Sequence, residues 1–187
     1  MREELTELDS IRRVVVTRLR WLGDVVMSTP MLEALREALP QARIEYLTNT
    51  AFAPALDRHP ACDRVLTVER RGGWRTLART LGDLRDPRVD WCIDTFGNPR
   101  SAILVARAAP RNSVGPQRGI RSRLYTHTVR HEPGVRSAVR RQLDLLTPLL
   151  GRVETRSTSL HVNPDEQTAV ADRLDLARDA DVAIMHP

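Results

Sequence analysis

Residues 13–40, RVVVTRLRWLGDVVMSTPMLEALREALP, form the stretch that decides the fold. It opens with an apolar, β-branched run from Arg13 to Thr17, which predicts a strand buried on both faces, as in a parallel sheet. A loop from Arg18 to Gly23 follows. Leucines at three- and four-residue spacing then predict a helix that ends at about Leu39, before Pro40.

The same alternation of strands and helices continues along the chain. Further strands are predicted at Arg43–Leu47, Val65–Val68, Val89–Asp94 and, more briefly, Asn112–Val114. Helices are predicted at Phe52–Arg58, after a Gly72-Gly73 turn at Trp74–Leu84, between the capping Asn98 and Pro110, and at Arg136–Leu150. Residues 116–133 are arginine-rich and predict a loop with little regular structure. This order indicates an α/β fold: a Rossmann-like parallel sheet with helices on both faces.

The organisation changes after Gly151. A short strand is predicted at Leu160–Val162, a helix from Pro164 to about Ala177, and another buried strand at Asp181–Met185. We therefore expect residues 1–155 to form one domain. Residues 156–187 would be a connecting segment and the first strand of a second α/β domain that continues beyond the chain.

The composition narrows the classes of function. Hydrophobic residues make up 41% of the chain, charged residues 28% and aromatic residues 4%, and the net charge is +5. Few aromatics argue against stacking on single-stranded nucleic acid. All 29 basic residues are arginine, a side chain that grips carboxylate and phosphate with two hydrogen bonds. No run approaches the ~20 apolar residues of a membrane span, and no secretory signal begins the chain, so we expect a cytoplasmic protein.

The cysteines and histidines do not predict a metal site. Cys62 and Cys92 are far apart, and Cys92 lies in an apolar run typical of a core. His127 and His131 have the spacing of two ligands on one helix face, but their segment is not helical in pattern and has no evident third ligand. We interpret the spacing as chance, and His59 before Pro60 as part of a turn.

Asp24 stands at the site predicted for ligands, because ligands of parallel sheets gather where strands end. The loop before it is neither a dinucleotide fingerprint nor a P-loop, since it lacks GxGxxG and GK[ST]. Asp24 could cap a helix that begins there. That helix would carry Pro30 in its second turn, so the helix could instead begin at Thr29, leaving Asp24 in a loop. The sequence leaves both alternatives open.

Several motifs recur in a fixed order. Residues 13–40 are followed by HPACDRV at 59–65, by VDWCIDTFGNPRSA at 89–102 and by VAIMHP at 182–187. Their order and spacing over residues 12–187 resemble the amino-terminal half of glycosyltransferase family 9, the ADP-heptose–lipopolysaccharide heptosyltransferases.

The resemblance implies a two-domain, GT-B type, inverting transferase that needs no metal or other cofactor. Its amino-terminal domain would bind a lipopolysaccharide core or other glycan acceptor, with peripheral contact to the inner membrane at its cytoplasmic face. Its carboxyl-terminal domain would bind the nucleotide sugar, ADP-heptose or a related donor. Asp24, which matches the aspartate of the family's G-D motif together with Gly23, would be the general base. A diphosphate leaves readily, so a second carboxylate acid is not required.

Other candidates lie around this loop. Arg18 and Arg20 would bind an acceptor carboxylate or phosphate, unless they are solvated or internally paired. Asp94 closes a strand at the ligand-facing end, where it would serve either the acceptor or the capping of a loop. Arg100, near a helix start, is interpreted as structural, and His186 would approach the donor.

Arg118, Arg121 and Arg123 form a denser patch in the predicted loop. They are candidates for contact with the acceptor or a membrane surface, and a simple solvated run is the alternative.

Two other functions compete with transfer. The positive charge is compatible with a nucleotide- or nucleic-acid-binding α/β module without transferase activity. The second alternative is a degenerate transferase that acts as a non-catalytic partner in assembly.

Overall fold

The structure, a computed structural model, describes residues 8–69, 74–131, 134 and 137–175. In this part of the chain six strands form one sheet: β1 (Arg13–Arg18), β2 (Arg43–Asn49), β3 (Arg64–Val68), β4 (Trp91–Asp94), β5 (Asn112–Pro116) and β6 (His127–Val129). All neighbouring pairs are parallel, and the order is β3-β2-β1-β4-β5-β6. The direction in which strands are added therefore reverses between β1 and β4.

Seven α-helices lie in the described residues: α1 (Leu22–Val26), α2 (Thr29–Ala38), α3 (Trp74–Arg85), α4 (Pro99–Ala108), α5 (Ala138–Leu143), α6 (Thr147–Leu150) and α7 (Pro164–Arg173). Short 3-10 helices span Thr50–Ala55, Gly119–Leu124 and Asp144–Leu146. No helix among these residues is both long and apolar enough to cross a bilayer.

The core consists of two apolar clusters, one on each face of the sheet. Val14 and Val16 belong to the cluster that includes leucines of α2 and α5, whereas Val15 belongs to the cluster that includes α4. Successive strand residues point to opposite faces, so β1 contributes to both clusters. The predicted α/β fold, with helices on both faces of a parallel sheet, is confirmed.

The helix predicted after β1 is divided in two. α1 ends at Val26 and α2 begins at Thr29, with Pro30 as its second residue, where a missing N–H costs nothing. Ser28 lies at the break, and its hydroxyl contacts the carbonyl of Val25 and the hydroxyl of Tyr46, each at 2.6 Å. The longer helix begins at Thr29, as the second alternative predicted, but Asp24 lies in the short helix α1 and not in a loop.

Residues 116–133, predicted as an irregular loop, contain regular structure. Gly119–Leu124 is a 3-10 helix, and β6 extends the sheet beside β5. The ring of His127 in β6 stacks on that of Trp91, with centroids 5.1 Å apart. The prediction of an irregular loop was therefore wrong. The sequence did not reveal β6 because three residues are too few to show an alternating pattern.

Three other helix predictions differ in detail. The segment at Phe52–Arg58 forms the 3-10 helix Thr50–Ala55 instead. The helix predicted at Arg136–Leu150 is interrupted by the 3-10 turn Asp144–Leu146, because Pro148 lacks the N–H of a continuous helix. α7 begins at Pro164 as predicted and ends at Arg173.

The strand predicted at Leu160–Val162 is wrong. These residues have no regular secondary structure, and Leu160 and Val162 are each 54% exposed. The alternating apolar residues lie on an extended segment that pairs with none of the described strands. The predicted strand at Asp181–Met185 and the turn at Gly72-Gly73 lie outside the described residues.

This extended segment is attached to α2 through Ser159. Its backbone N–H donates to Thr29 Oγ1 at 2.9 Å, and its hydroxyl donates to Glu33 Oε1 at 2.7 Å. His59 Nε2 lies 3.1 Å from the same hydroxyl. His59 Nδ1 accepts from the N–H of Ala61 at 3.2 Å, so the ring is neutral with its proton on Nε2.

Acid should loosen this attachment. Burial lowers the pKa of His59 from its usual 6.5, His161 lowers it further, and Glu33 opposes the shift. A histidine whose folded pKa is depressed contributes stability that is complete above its ordinary pKa and declines as pH falls below about 6.5. We expect faster amide hydrogen exchange at Ser159 as pH falls from 7.5 to 5, after correction for intrinsic exchange.

The variant His59→Gln should remove most of that pH dependence, whereas His131→Gln should preserve it. Exchange at Ser159 that follows pH equally in both variants would contradict the assignment.

Candidate functional site

The site is built where β1 and β4 end side by side. The N–H and hydroxyl of Thr95, just after β4, both donate to the carbonyl of Thr17 at 3.1 and 3.0 Å. The sheet order reverses between these two strands. Loops that leave such a point diverge to opposite faces and open a crevice in which ligands of α/β sheets bind.

Asp24 lies shortly after the carboxyl end of β1, in the first turn of α1. Its carboxylate accepts a hydrogen bond from Arg18, and the two side chains are 23% and 11% exposed, respectively. The residue preceding α1 is Trp21, and no side chain caps that helix. Asp24 is therefore not an N-cap, and no backbone N–H of the described residues occupies its carboxylate.

Arg18 is held by several groups at once. Its guanidinium donates to the carbonyl of Thr95 at 2.9 Å and to that of Arg20 at 3.3 Å, and its Cζ lies 4.7 Å from the centre of the Phe96 ring. With Asp24 as a further partner, these contacts favour the internally paired alternative for Arg18. Its evident role is to orient Asp24.

Gln142 is a site residue that the sequence analysis missed. Its amide Nε2 donates to the backbone carbonyl of Asp24 at 3.3 Å, although 118 positions separate them. The side chain is 5% exposed, and its Oε1 has no hydrogen-bond partner in the described part of the chain. A buried polar residue on the otherwise apolar face of α5 was the available signal, but the sequence did not show what it faces.

Arg20 and Gly23 are exposed on the loop between β1 and Asp24. The guanidinium of Arg20 lies 5.0 Å from the ring centre of Trp21, which is itself 60% exposed. A Cβ at Gly23 would meet nothing within 4 Å, so packing does not require glycine there. Both residues remain placed for contact with a ligand.

Asp94 occupies a different environment from Asp24. It is fully buried, Oδ1 accepts from the N–H groups of Phe96 and Gly97 at 2.9 and 3.1 Å, and Oδ2 accepts from the hydroxyl of Tyr125 at 2.6 Å. Burial and the neighbouring carboxylate raise the pKa of Tyr125, so it stays a donor. A Cβ at Gly115 would lie 2.5 Å from the Tyr125 ring, which explains the glycine. Of the two alternatives for Asp94, the contacts favour loop capping.

The arginine patch follows β5 at the same edge of the sheet. Arg118 and Arg123 are exposed, and Arg121 is half-buried with no hydrogen-bond partner for its Nε among the described residues. Ile120, between them, is 78% exposed. The patch keeps its status as a candidate contact for acceptor or surface, whereas His186 lies outside the described residues.

The remaining candidates have structural surroundings. Arg100 donates to the carbonyl of Glu69 at 2.9 Å. His127 belongs to a strand, so the helical geometry that would pair it with His131 is absent. Cys92 is buried as predicted, and burial raises the pKa of Cys62 to about 11, which makes it a poor nucleophile at neutral pH.

Comparison of sequences gives a partial match. No protein-family model matches the chain. Lipopolysaccharide heptosyltransferase 1 of Pseudomonas aeruginosa is 30% identical over 102 residues, which are 50% of this chain and 29% of that protein.

Solved structures with the same fold cover 79% to 92% of the chain. A family 9 glycosyl transferase from Veillonella parvula matches with a TM-score of 0.78 and 24% identity, over 92% of this chain and 52% of its own. Heptosyltransferase WaaC of E. coli, solved with ADP, matches with a TM-score of 0.65 and 27% identity, over 79% and 50%. ADP-heptose lps heptosyltransferase II of E. coli matches with a TM-score of 0.69 and 19% identity, over 90% and 52%.

The chain thus spans about half the length of these solved relatives. The resemblance to glycosyltransferase family 9, first seen in the motifs, is confirmed by these neighbours.

The hydrogen bond that Asp94 accepts from Tyr125 should contribute measurably to the free energy of unfolding. Removing the hydroxyl in Tyr125→Phe should lower the free energy of unfolding by about 1.5–3 kcal/mol, because a buried carboxylate loses a hydrogen-bond donor. In the control Tyr46→Phe the lost bond joins two neutral hydroxyls, so the expected loss is about 0.5–1.5 kcal/mol. Urea unfolding measures both losses. A smaller loss for Tyr125→Phe than for Tyr46→Phe would contradict the structural role of Asp94 in capping the loop.

Proposed function

We propose that the chain is the acceptor-binding half of an inverting glycosyltransferase. The transferase moves heptose, or a related sugar, from ADP-heptose or another nucleotide sugar to a lipopolysaccharide core acceptor. The main support is the carboxylate of Asp24, partly exposed just after the carboxyl end of β1, in a fold shared with heptosyltransferases. WaaC, one of those neighbours, has been solved with ADP and with ADP-2-deoxy-2-fluoro heptose.

In this proposal residues 1–155 bind the acceptor and residues 156–187 lead to the donor domain. The enzyme acts in the cytoplasm, at the inner face of the membrane where the acceptor lies, and uses no metal or cofactor beyond its donor.

The chemistry assigns one step to Asp24. As an acceptor hydroxyl attacks the anomeric carbon of the donor, its proton passes to the Asp24 carboxylate. A new C–O bond forms while the bond to the diphosphate breaks on the opposite face, which inverts the anomeric centre. Arg18 bonds Oδ2 of the carboxylate, and Oδ1 accepts nothing from the described residues, which leaves an oxygen to receive the proton.

An assay of heptose transfer tests whether Asp24 is the general base. The chain alone and the chain joined to the carboxyl-terminal half of E. coli WaaC would be supplied with ADP-heptose and a heptose-less lipopolysaccharide core. We expect transfer only from the joined protein. In it, Asp24→Asn should lower kcat by roughly 10²- to 10⁴-fold, because general-base catalysis contributes about that much.

Asp165→Asn, an equal loss of charge at the exposed start of α7, is the control and should leave kcat unchanged. Wild-type kcat in Asp24→Asn would remove Asp24 from the mechanism. A joined protein that folds and binds ADP but transfers nothing would count against the function itself.

Arg18 should act on the rate through Asp24. In Arg18→Gln the carboxylate loses its partner, so we expect kcat to fall by about tenfold or more while KM for the acceptor changes little. Arg18→Lys keeps the charge but not the contacts to Thr95 and Arg20, and should recover part of the rate. A change confined to KM would show that Arg18 binds the acceptor directly.

A further inference from the structure

The break between α1 and α2 leaves the backbone carbonyl of Asp24 without its helical donor. In a continuous α-helix that donor would be the N–H of Ser28, four residues further on. Here the N–H of Ser28 donates to the carbonyl of Val25 instead, at 3.1 Å. The carbonyl of Asp24 accepts from Gln142 Nε2 at 3.3 Å, so a side chain of α5 replaces the missing backbone donor.

The neighbouring carbonyls of α1 are bound from within their own segment. The hydroxyl of Ser28 donates to the carbonyl of Val25, and that of Thr29 donates to the carbonyl of Val26 at 2.9 Å. Both hydroxyls follow α1 directly in the chain, so they do not attach it to another part of the fold. Gln142 is 118 positions away from Asp24, and its hydrogen bond ties α1 to a separate helix.

α1 depends on such a contact because little else fixes its position. It has five residues, no side-chain N-cap and one buried side chain, Val25. A helix of this length is not stable by itself in water. α5, by contrast, is anchored in the core: Leu143 is fully buried, and Ser137 caps the helix by accepting from the N–H of Arg140 at 3.2 Å. The hydrogen bond from Gln142 therefore joins a weakly fixed helix to a firmly fixed one.

The amide of Gln142 opposes folding at its other end. The residue is 5% exposed, and its Oε1 has no hydrogen-bond partner in the described part of the chain. A buried acceptor without a partner loses its hydration and gains no hydrogen bond in exchange. Turning the amide over would not relieve this, because Oε1 would then face the carbonyl oxygen of Asp24. An apolar side chain of similar size would avoid the penalty, so the contact with Asp24 is what glutamine adds here.

We propose that Gln142 is a positioning residue for Asp24. It holds the backbone of α1 from α5, while Arg18 holds the carboxylate from the end of β1. Displacement of a catalytic group by about 1 Å lowers a rate by roughly 10²-fold, so a contact with the backbone of the base has kinetic weight. The inference rests on the proposed function, in which Asp24 is the general base, and adds a residue that acts on the rate through it.

The first test uses the chain alone and involves no transfer. Gln142→Met keeps the length of the side chain but removes both the donor and the unpaired acceptor. The N–H groups of Val25 and Met27 form backbone hydrogen bonds of α1, at 3.2 and 2.8 Å, and their hydrogen exchange follows its opening. At constant pH we expect exchange at both to accelerate about three- to tenfold, the effect of one lost hydrogen bond. The free energy of unfolding should stay equal or rise, because the unpaired Oε1 is gone.

Gln167→Met, the same change at an exposed position of α7, is the matched control and should leave exchange in α1 as in the parent. The N–H of Leu39, bonded to the carbonyl of Leu35 at 2.8 Å at the end of α2, should exchange alike in all three proteins. Unchanged exchange in α1 of Gln142→Met would overturn the proposal. A lower free energy of unfolding with faster exchange at Leu39 would also overturn it, since Gln142 would then support the fold as a whole.

The second test uses the chain joined to the carboxyl-terminal half of WaaC. Gln142→Met should lower kcat by about tenfold and change KM for the acceptor little, because the base is displaced and the substrate contacts are kept. In an Asp24→Asn background the same substitution should have no further effect on kcat. A loss of equal size in that background would show that Gln142 acts independently of Asp24, which would overturn the positioning role.

The two tests separate this inference from the function on which it rests. A joined protein that transfers nothing counts against the function, and exchange in the chain alone still decides whether Gln142 holds α1. Faster exchange in α1 together with a parental kcat would overturn the positioning role and leave Asp24 as the base.

Discussion

The structure depends on the burial of β1 between β2 and β4. Val14, Val15 and Val16 are fully buried, and the strand pairs along both of its edges. Polar side chains are therefore confined to its two ends. Arg13 at the start donates to Glu45 Oε2 at 2.8 Å through Nε, and Arg18 at the end binds Asp24. The first pair joins β1 to β2, and the second places a carboxylate at the edge of the sheet where β1 and β4 end.

Two aspartates at that edge show how surroundings separate structural from chemical roles. Asp94 has three donors and no exposure, so its charge is used to close the loop after β4. Asp24 has one charged partner and partial exposure. A carboxylate must keep an accessible lone pair to accept a proton from a substrate, and of these two side chains Asp24 meets that requirement.

The sequence predicted what depends on repeated local pattern. β1 to β4 were recognised from their apolar residues, and α4 from its cap and prolines, because each signal lies within the element; β5 was predicted only as a brief strand. β6 and the extended segment at Leu160 were misjudged, since three residues cannot show whether an alternating pattern has a partner strand. The segment after β1 that carries Asp24 was singled out, but its short helix α1 was not predicted. The contact with Gln142, 118 positions away, depends on packing between distant segments.

The absence of lysine makes arginine a weak signal in this sequence, since every positive charge is an arginine whatever its role. Position and partners therefore have to separate the roles. Arg18 is surrounded by carbonyl oxygens and a carboxylate of the protein, whereas Arg20 is exposed and its guanidinium lies over the ring of Trp21.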